Sequence, residues 1–157
     1  MLSSSKKNRH ILAIPWPASG HMPMIDVARQ LGIRGITTTF AVTRKNLYYL
    51  NPLISLHDKT TIQTLVLPLP SHPSLPAGSE NMQDVTQDYF LYMVEALSEL
   101  HDPIMQWFKS PLAILTDVML NTWTHSLASA LGIKTIDFLP LSQHTAYNCW
   151  SDYQEMK

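Results

Sequence analysis

Five short apolar or β-branched runs, at 10–14, 36–42, 62–67, 112–116 and 134–138, alternate with longer stretches of helical period. That alternation predicts an α/β protein with a parallel sheet covered by helices on both faces. Two further observations agree with it. Ile11-Leu12-Ala13-Ile14 is unbroken by any polar residue, as a buried strand should be, and Gly32, Gly35 and Gly132 fall where helical stretches end.

The first strand runs into Pro15-Trp16-Pro17-Ala18-Ser19-Gly20-His21-Met22, which carries a histidine from the end of a strand to the start of a helix. Met24, Val27, Ala28 and Leu31 then recur at i, i+3, i+4 and i+7, an apolar stripe that completes a βαβ unit with the strand at 36–42. A weaker helix over Arg44–Leu56 carries Leu47, Leu50 and Ile54. The third strand empties into Pro68–Gly78, where prolines and a glycine forbid either regular element, and long loops of this kind are often functional.

From Tyr89, the positions Phe90, Met93, Leu97, Leu100, Ile104 and Trp107 keep helical spacing, and Pro103 is expected to kink or restart that helix. Leu120, Trp123, Leu127 and Leu131 repeat the pattern after the fourth strand, and Ser142–Lys157 reads as a last helix. With right-handed crossovers, five such strands take the order 3-2-1-4-5. Strands one and four are then neighbours, so His21, beyond the first, and Asp117, at the end of Ala113-Ile114-Leu115-Thr116, converge.

A neutral imidazole at a helix N-terminus has its protonated form disfavoured by the dipole, which poises it as a base. A carboxylate on its other nitrogen would fix the tautomer and stabilise the imidazolium formed on proton abstraction. Such a dyad suits an alcohol or phenol. Spacing alone leaves the bland alternatives open: a histidine after glycine as a packed loop residue, and Asp117 as a helix N-cap. His57, His72, His101, His125 and His144 are scattered and read as surface or hydrogen-bonded histidines.

Composition excludes several classes. A net charge of −1, with Lys6, Lys7 and Arg9 as the basic cluster, gives no stripe to neutralise phosphates, so no nucleic-acid partner is expected. Cys149 stands alone, read as a buried inert thiol, and no His or Cys spacing suits a metal. No G-x-G-x-x-G, P-loop or G-x-S-x-G is present, so no cofactor is expected. The start Met1–Lys7 is polar, the apolar run before Pro15 is too short for a signal peptide, and no run approaches a membrane span. A cytoplasmic protein is the expectation.

These residues resemble the plant UDP-sugar-dependent glycosyltransferases of small molecules, over essentially the whole chain. The resemblance is carried by the Pro-x-Pro-Ala-x-Gly-His-Met opening through Met22, by Val42-Thr43-Arg44-Lys45-Asn46-Leu47, by Pro70–Gly78 and by Leu115-Thr116-Asp117 with Trp123. The proline-rich piece and Glu99-Leu100-His101-Asp102-Pro103-Ile104 look most like the subgroup that glucosylates flavonols and related phenolics.

The resemblance implies the Rossmann-like N-terminal half of a two-domain GT-B fold. It makes His21 the general base on the acceptor hydroxyl and Asp117 its orienter, with attack on the anomeric carbon of UDP-glucose and inversion. It also makes Trp16, Ser19, Gly20, the 70–88 loop, Tyr89 and Met119 the lining of an acceptor pocket for a flavonoid or other small phenolic. Ser19 stands where the family commonly has Gln, and Pro140-Leu141-Ser142-Gln143-His144 replaces its small-residue stretch near the donor sugar.

The domain organisation expected is a flexible 1–8, a truncated acceptor-binding domain over 9–157, and no C-terminal donor-binding domain, so that UDP-glucose serves as co-substrate only where such a domain is supplied. An apolar face left uncovered would then favour self-association or pairing with a C-terminal glycosyltransferase domain. The alternatives are a non-catalytic phenolic-binding or regulatory module, or a dyad used for donor-independent acid/base chemistry.

Overall fold

The computed structural model describes residues 9–18, 21–55, 61–107 and 110–139, with positions 21, 22, 49 and 52–54 described by their backbone alone. Within it, β1 (His10–Ile14), β2 (Thr37–Thr43), β3 (Ile62–Leu67), β4 (Ala113–Asp117) and β5 (Lys134–Phe138) form one sheet in the order β3-β2-β1-β4-β5. Every pairing is parallel. The helices are α1 (His21–Ile33), α2 (Arg44–Ile54), α3 (Phe90–Ser98), α4 (His101–Trp107) and α5 (Asn121–Leu131).

The sheet is the middle of three layers, and the alternation of β1 shows it. Successive side chains of a strand point to opposite faces. Ile11 and Ala13 therefore join Met24, Ile25 and Ala28 of α1 and Leu50 of α2 in one apolar cluster. Leu12 and Ile14 join Met93, Leu97, Ile104, Trp123 and Leu127 from α3, α4 and α5 in the other. All five residues of β1 are buried, which is the physical reason its run contains so little polarity. The one buried titratable side chain there, His10, is hydrogen-bonded through Nε2 to Thr39 Oγ1 at 2.8 Å and sits edge-on to Trp107.

The boundaries differ from the expectations in instructive ways. β2 begins at Thr37 because the N–H of Ile36 is still engaged with Leu31 O, closing the exit of α1. The helical stretch after Tyr89 divides at Glu99–Leu100, ahead of Pro103, and Pro103 then sits in the first turn of α4, where no intrahelical N–H is required. The proline marks a restart. α5 ends on Gly132, whose left-handed φ of 67° allows its N–H to reach the carbonyls of Ala128 and Ser129. The expected helix at 142–157, Cys149 and the N-terminal residues 1–8 lie outside the described residues.

Candidate functional site

Parallel strands deliver their carboxyl ends to one side of the sheet, and α1 starts there. Met24, Ile25 and Ala28 are buried against β1 and β2, so the apolar stripe of α1 fixes its axis over the sheet and its first residue, His21, at the mouth. Across the same edge Ile14 of β1 is the register partner of Thr116 in β4. The next residue, Asp117, closes β4. The strand adjacency on which a pairing of His21 with Asp117 rests is therefore present.

Asp117 is 2% exposed. Its Oδ1 accepts the N–H of Met119 at 3.0 Å, capping the 3-10 turn Val118–Leu120 that leads into α5. The capping reading of this aspartate is thus observed, and it occupies one carboxylate oxygen. Burial pushes the Asp117 carboxyl above its usual value, against the opposing pull of the Met119 N–H.

The consequence for stability has a definite sign. Because the folded-state pKa is raised, the folded domain binds this proton more tightly than the unfolded chain does. Asp117 thus contributes stability that is fully present below the unfolded carboxylate pKa of about 3.9 and lost as pH rises through the folded value. Asp117→Asn keeps an oxygen for the Met119 N–H and removes the buried charge. It is expected to raise the melting temperature relative to wild type at pH 7, with the gain disappearing below about pH 4. Melting curves from pH 3 to 8 check this; a difference independent of pH would refute the assignment.

The residues expected to line an acceptor pocket differ in their settings. Trp16 is buried and its ring lies 5.0 Å from that of Phe90, so it belongs to the core as well as to the mouth. Tyr89, half-buried, immediately precedes Phe90 and sits edge-on to Tyr92 at 6.3 Å. Met119 is 47% exposed beside Asp117. Ser19 and Gly20 lie outside the described residues. A narrow cavity of ≈ 10 Å³, about the room of one water, is lined by Ile14, Pro17, Thr43, Asn46, Leu97 and Leu120.

Sequence reasoning missed a polar cluster on the same edge. Asn46 and Asn81 are both 2% exposed, and Asn81 Nδ2 donates to Asn46 Oδ1 at 2.7 Å. Asn46 Nδ2 donates to Thr43 Oγ1 and to Glu80 O, each at 2.7 Å. Asn81 also caps the 3-10 turn Met82–Asp84 in a capping box with Asp84. Lys45 Nζ lies 2.8 Å from Asp84 Oδ1, and the Lys45 N–H donates to Glu80 Oε2 at 2.7 Å. Burial works to raise the Asp84 pKa, but the Lys45 hydrogen bond, the N–H groups of Glu80 and Asn81 and the Lys45 charge outweigh it and hold the carboxyl below its usual range. The Asn81-x-x-Asp84 spacing was the available signal, an N-cap with an acid three residues on.

The scattered histidines behave as expected where they are described. His72 Nδ1 accepts the N–H of Ser74, His101 is bonded to Asp102 at 2.8 Å, and His125 to Asp137 at 2.7 Å. His57 and His144 lie outside the described residues. Among the described residues no three or more His, Cys, Asp or Glu gather as a metal site, and no helix is long and apolar enough to cross a membrane.

No protein-family model matches the chain. Individual proteins do. It is 40% identical over 158 residues to flavonol 7-O-rhamnosyltransferase of Arabidopsis thaliana, an alignment covering 96% of this chain and 36% of that protein. It is 43% identical over 139 residues to flavonol 3-O-glucosyltransferase UGT89B1 of the same plant, covering 83% and 28%. The crystal structure of Arabidopsis thaliana UGT89C1 complexed with quercetin superposes with a TM-score of 0.84 at 42% identity, over 92% of this chain and 38% of that one.

The chain belongs to the plant UDP-glycosyltransferases. Within that family it corresponds to the N-terminal domain of the GT-B fold and spans about a third of the length of the curated relatives it matches. A UDP-glycosyltransferase of Stevia rebaudiana, 89B2, is similar to the same extent, 41% identical over 95% of this chain and 33% of its own.

Proposed function

We propose that this chain is the acceptor-binding portion of a flavonoid-type UDP-glycosyltransferase, with His21 as the base and Asp117 as its orienter. The observation that carries the reading is the parallel pairing of β1 with β4, with Ile14 opposite Thr116, which sets a buried carboxylate beside the strand that leads to the N-terminus of α1. A helix N-terminus disfavours the protonated form of an imidazole placed at it, which suits a base. Asp117, with one oxygen held by Met119, has a second oxygen for an imidazole N–H.

In this reading the acceptor hydroxyl gives its proton to the imidazole as its oxygen forms a bond to the anomeric carbon. The bond from that carbon to the UDP oxygen breaks, UDP leaves with the electron pair, and the configuration inverts. The carboxylate offsets the positive charge that develops on the ring. UDP-glucose is the proposed donor. A rhamnosyl donor is the second reading, favoured by the 40% identity to a flavonol 7-O-rhamnosyltransferase.

Calorimetric titration of the 157-residue polypeptide with quercetin and, separately, with UDP-glucose tests the division of labour. Binding of quercetin without binding of UDP-glucose is expected. Binding of UDP-glucose without quercetin would overturn it.

A further inference from the structure

The polar cluster at Asn46 and Asn81 has no place in the dyad chemistry, yet it touches the loop that carries the histidine. Met82, next to Asn81, donates its N–H to Pro17 O at 2.9 Å, in the turn between β1 and α1. Asn81 is held by Asn46, Asn46 by Thr43 at the end of β2, and the flank of the segment by Lys45 through Asp84 and Glu80. A chain of short bonds thus runs from the rigid sheet through α2 to Asn81–Met82 and on to Pro17, four residues before His21.

We propose that Asn46 and Asn81 are positioning residues for the acceptor site: the pair locks the 78–85 segment to the sheet edge and, through Met82, holds Pro17 in the stretch that follows β1. This rests on the acceptor reading above for its ligand. Apolar contact would hold the same segment without fixing its register. Two buried amides joined by one hydrogen bond, with their remaining groups taken by Thr43, Glu80 and the Gln83 N–H, fix direction as well as distance, because any other arrangement would leave a buried polar group unpaired. The segment also reaches the aromatic wall of the mouth, since it runs on to Phe90, whose ring packs on Trp16. A shift of the clamp therefore moves both Pro17 and the wall.

The test uses the whole chain and compares Asn81→Ala with Thr39→Ala, which removes a buried hydroxyl bonded to His10 on β2, outside the clamp. Quercetin affinity is read by titration, and hydrogen exchange is followed at the backbone amides of Met82 and Ala18, which are bonded to Pro17 O and Trp16 O. Asn81→Ala is expected to weaken quercetin binding at least tenfold and to speed exchange at both amides, whereas Thr39→Ala, at a matched loss of melting temperature, changes neither. Unchanged exchange in Asn81→Ala, or equal changes in Thr39→Ala, overturns the proposal. Should wild type bind no quercetin, the acceptor reading fails and exchange alone decides the clamp. Should Asn81→Ala fail to fold, Lys45→Met, which removes the half-exposed ion pair to Asp84 and the longer bond from Nζ to Gly78 O, carries the same comparison with a smaller effect in the same direction, and no effect overturns it.

Discussion

Joined to the remaining two-thirds of a plant UDP-glycosyltransferase, this chain is expected to lose a factor of about 10²–10⁴ in kcat on His21→Ala, the usual contribution of a positioned base. The acceptor KM should stay nearly constant, because the base acts as the proton moves and adds little to ground-state binding. Asp117→Asn should cost less, since the imidazole remains but its tautomer and the charge that steadies the imidazolium are lost. The same substitution is expected to stabilise the domain at neutral pH, so activity and stability should move in opposite directions at one residue. Steady-state kinetics of the three proteins, with melting curves alongside, measure both. Equal turnover in all three would show that these residues serve the fold alone.

The second large effect concerns the 157 residues expressed by themselves. No transfer of sugar to quercetin is expected, even at high UDP-glucose. On the acceptor-binding reading proposed above, the donor is held outside the third of its relatives that this chain matches, and holding two reactants together is worth effective molarities of about 10⁵–10⁸ M. Radiolabelled UDP-glucose would reveal any product. Clear turnover by polypeptide free of other transferases would mean that the donor is bound by residues within this domain.

The topology was legible because the central strands β1, β2 and β4 are buried on both faces and read as apolar or β-branched runs. The largely exposed edge strands β3 and β5 showed through their β-branched residues and their place after helical stretches. The runs at 10–14, 62–67 and 134–138 fall on β1, β3 and β5, and those at 36–42 and 112–116 are one residue early for β2 and β4. The strand order followed from handedness, and with it the nearness of β1 and β4. What did not show was any pairing between side chains. Asn46 and Asn81 are separated by 35 positions, and nothing in the spacing of either announces the other. Asn81 was also hidden by its setting, since a capping residue after a proline-rich run looks like more loop. Asp117 was legible in both of its meanings, as cap and as candidate orienter, and the structure displays the cap directly.

The pairing of Ile11 with Ala113 also has a temporal side. β1 can find β2 as soon as α1 has formed, but its other edge has to wait for a strand about a hundred residues downstream. At translation rates of ~5–20 residues per second, that wait is ~5–20 s, during which an almost wholly apolar strand has one open side. The nascent chain would therefore carry a half-sheet of β1, β2 and β3 first and add β4, then β5, afterwards. Since Asp117 arrives with β4, the residues proposed for chemistry can meet only after that addition, and a chain stalled before it would hold its histidine with no carboxylate beside it.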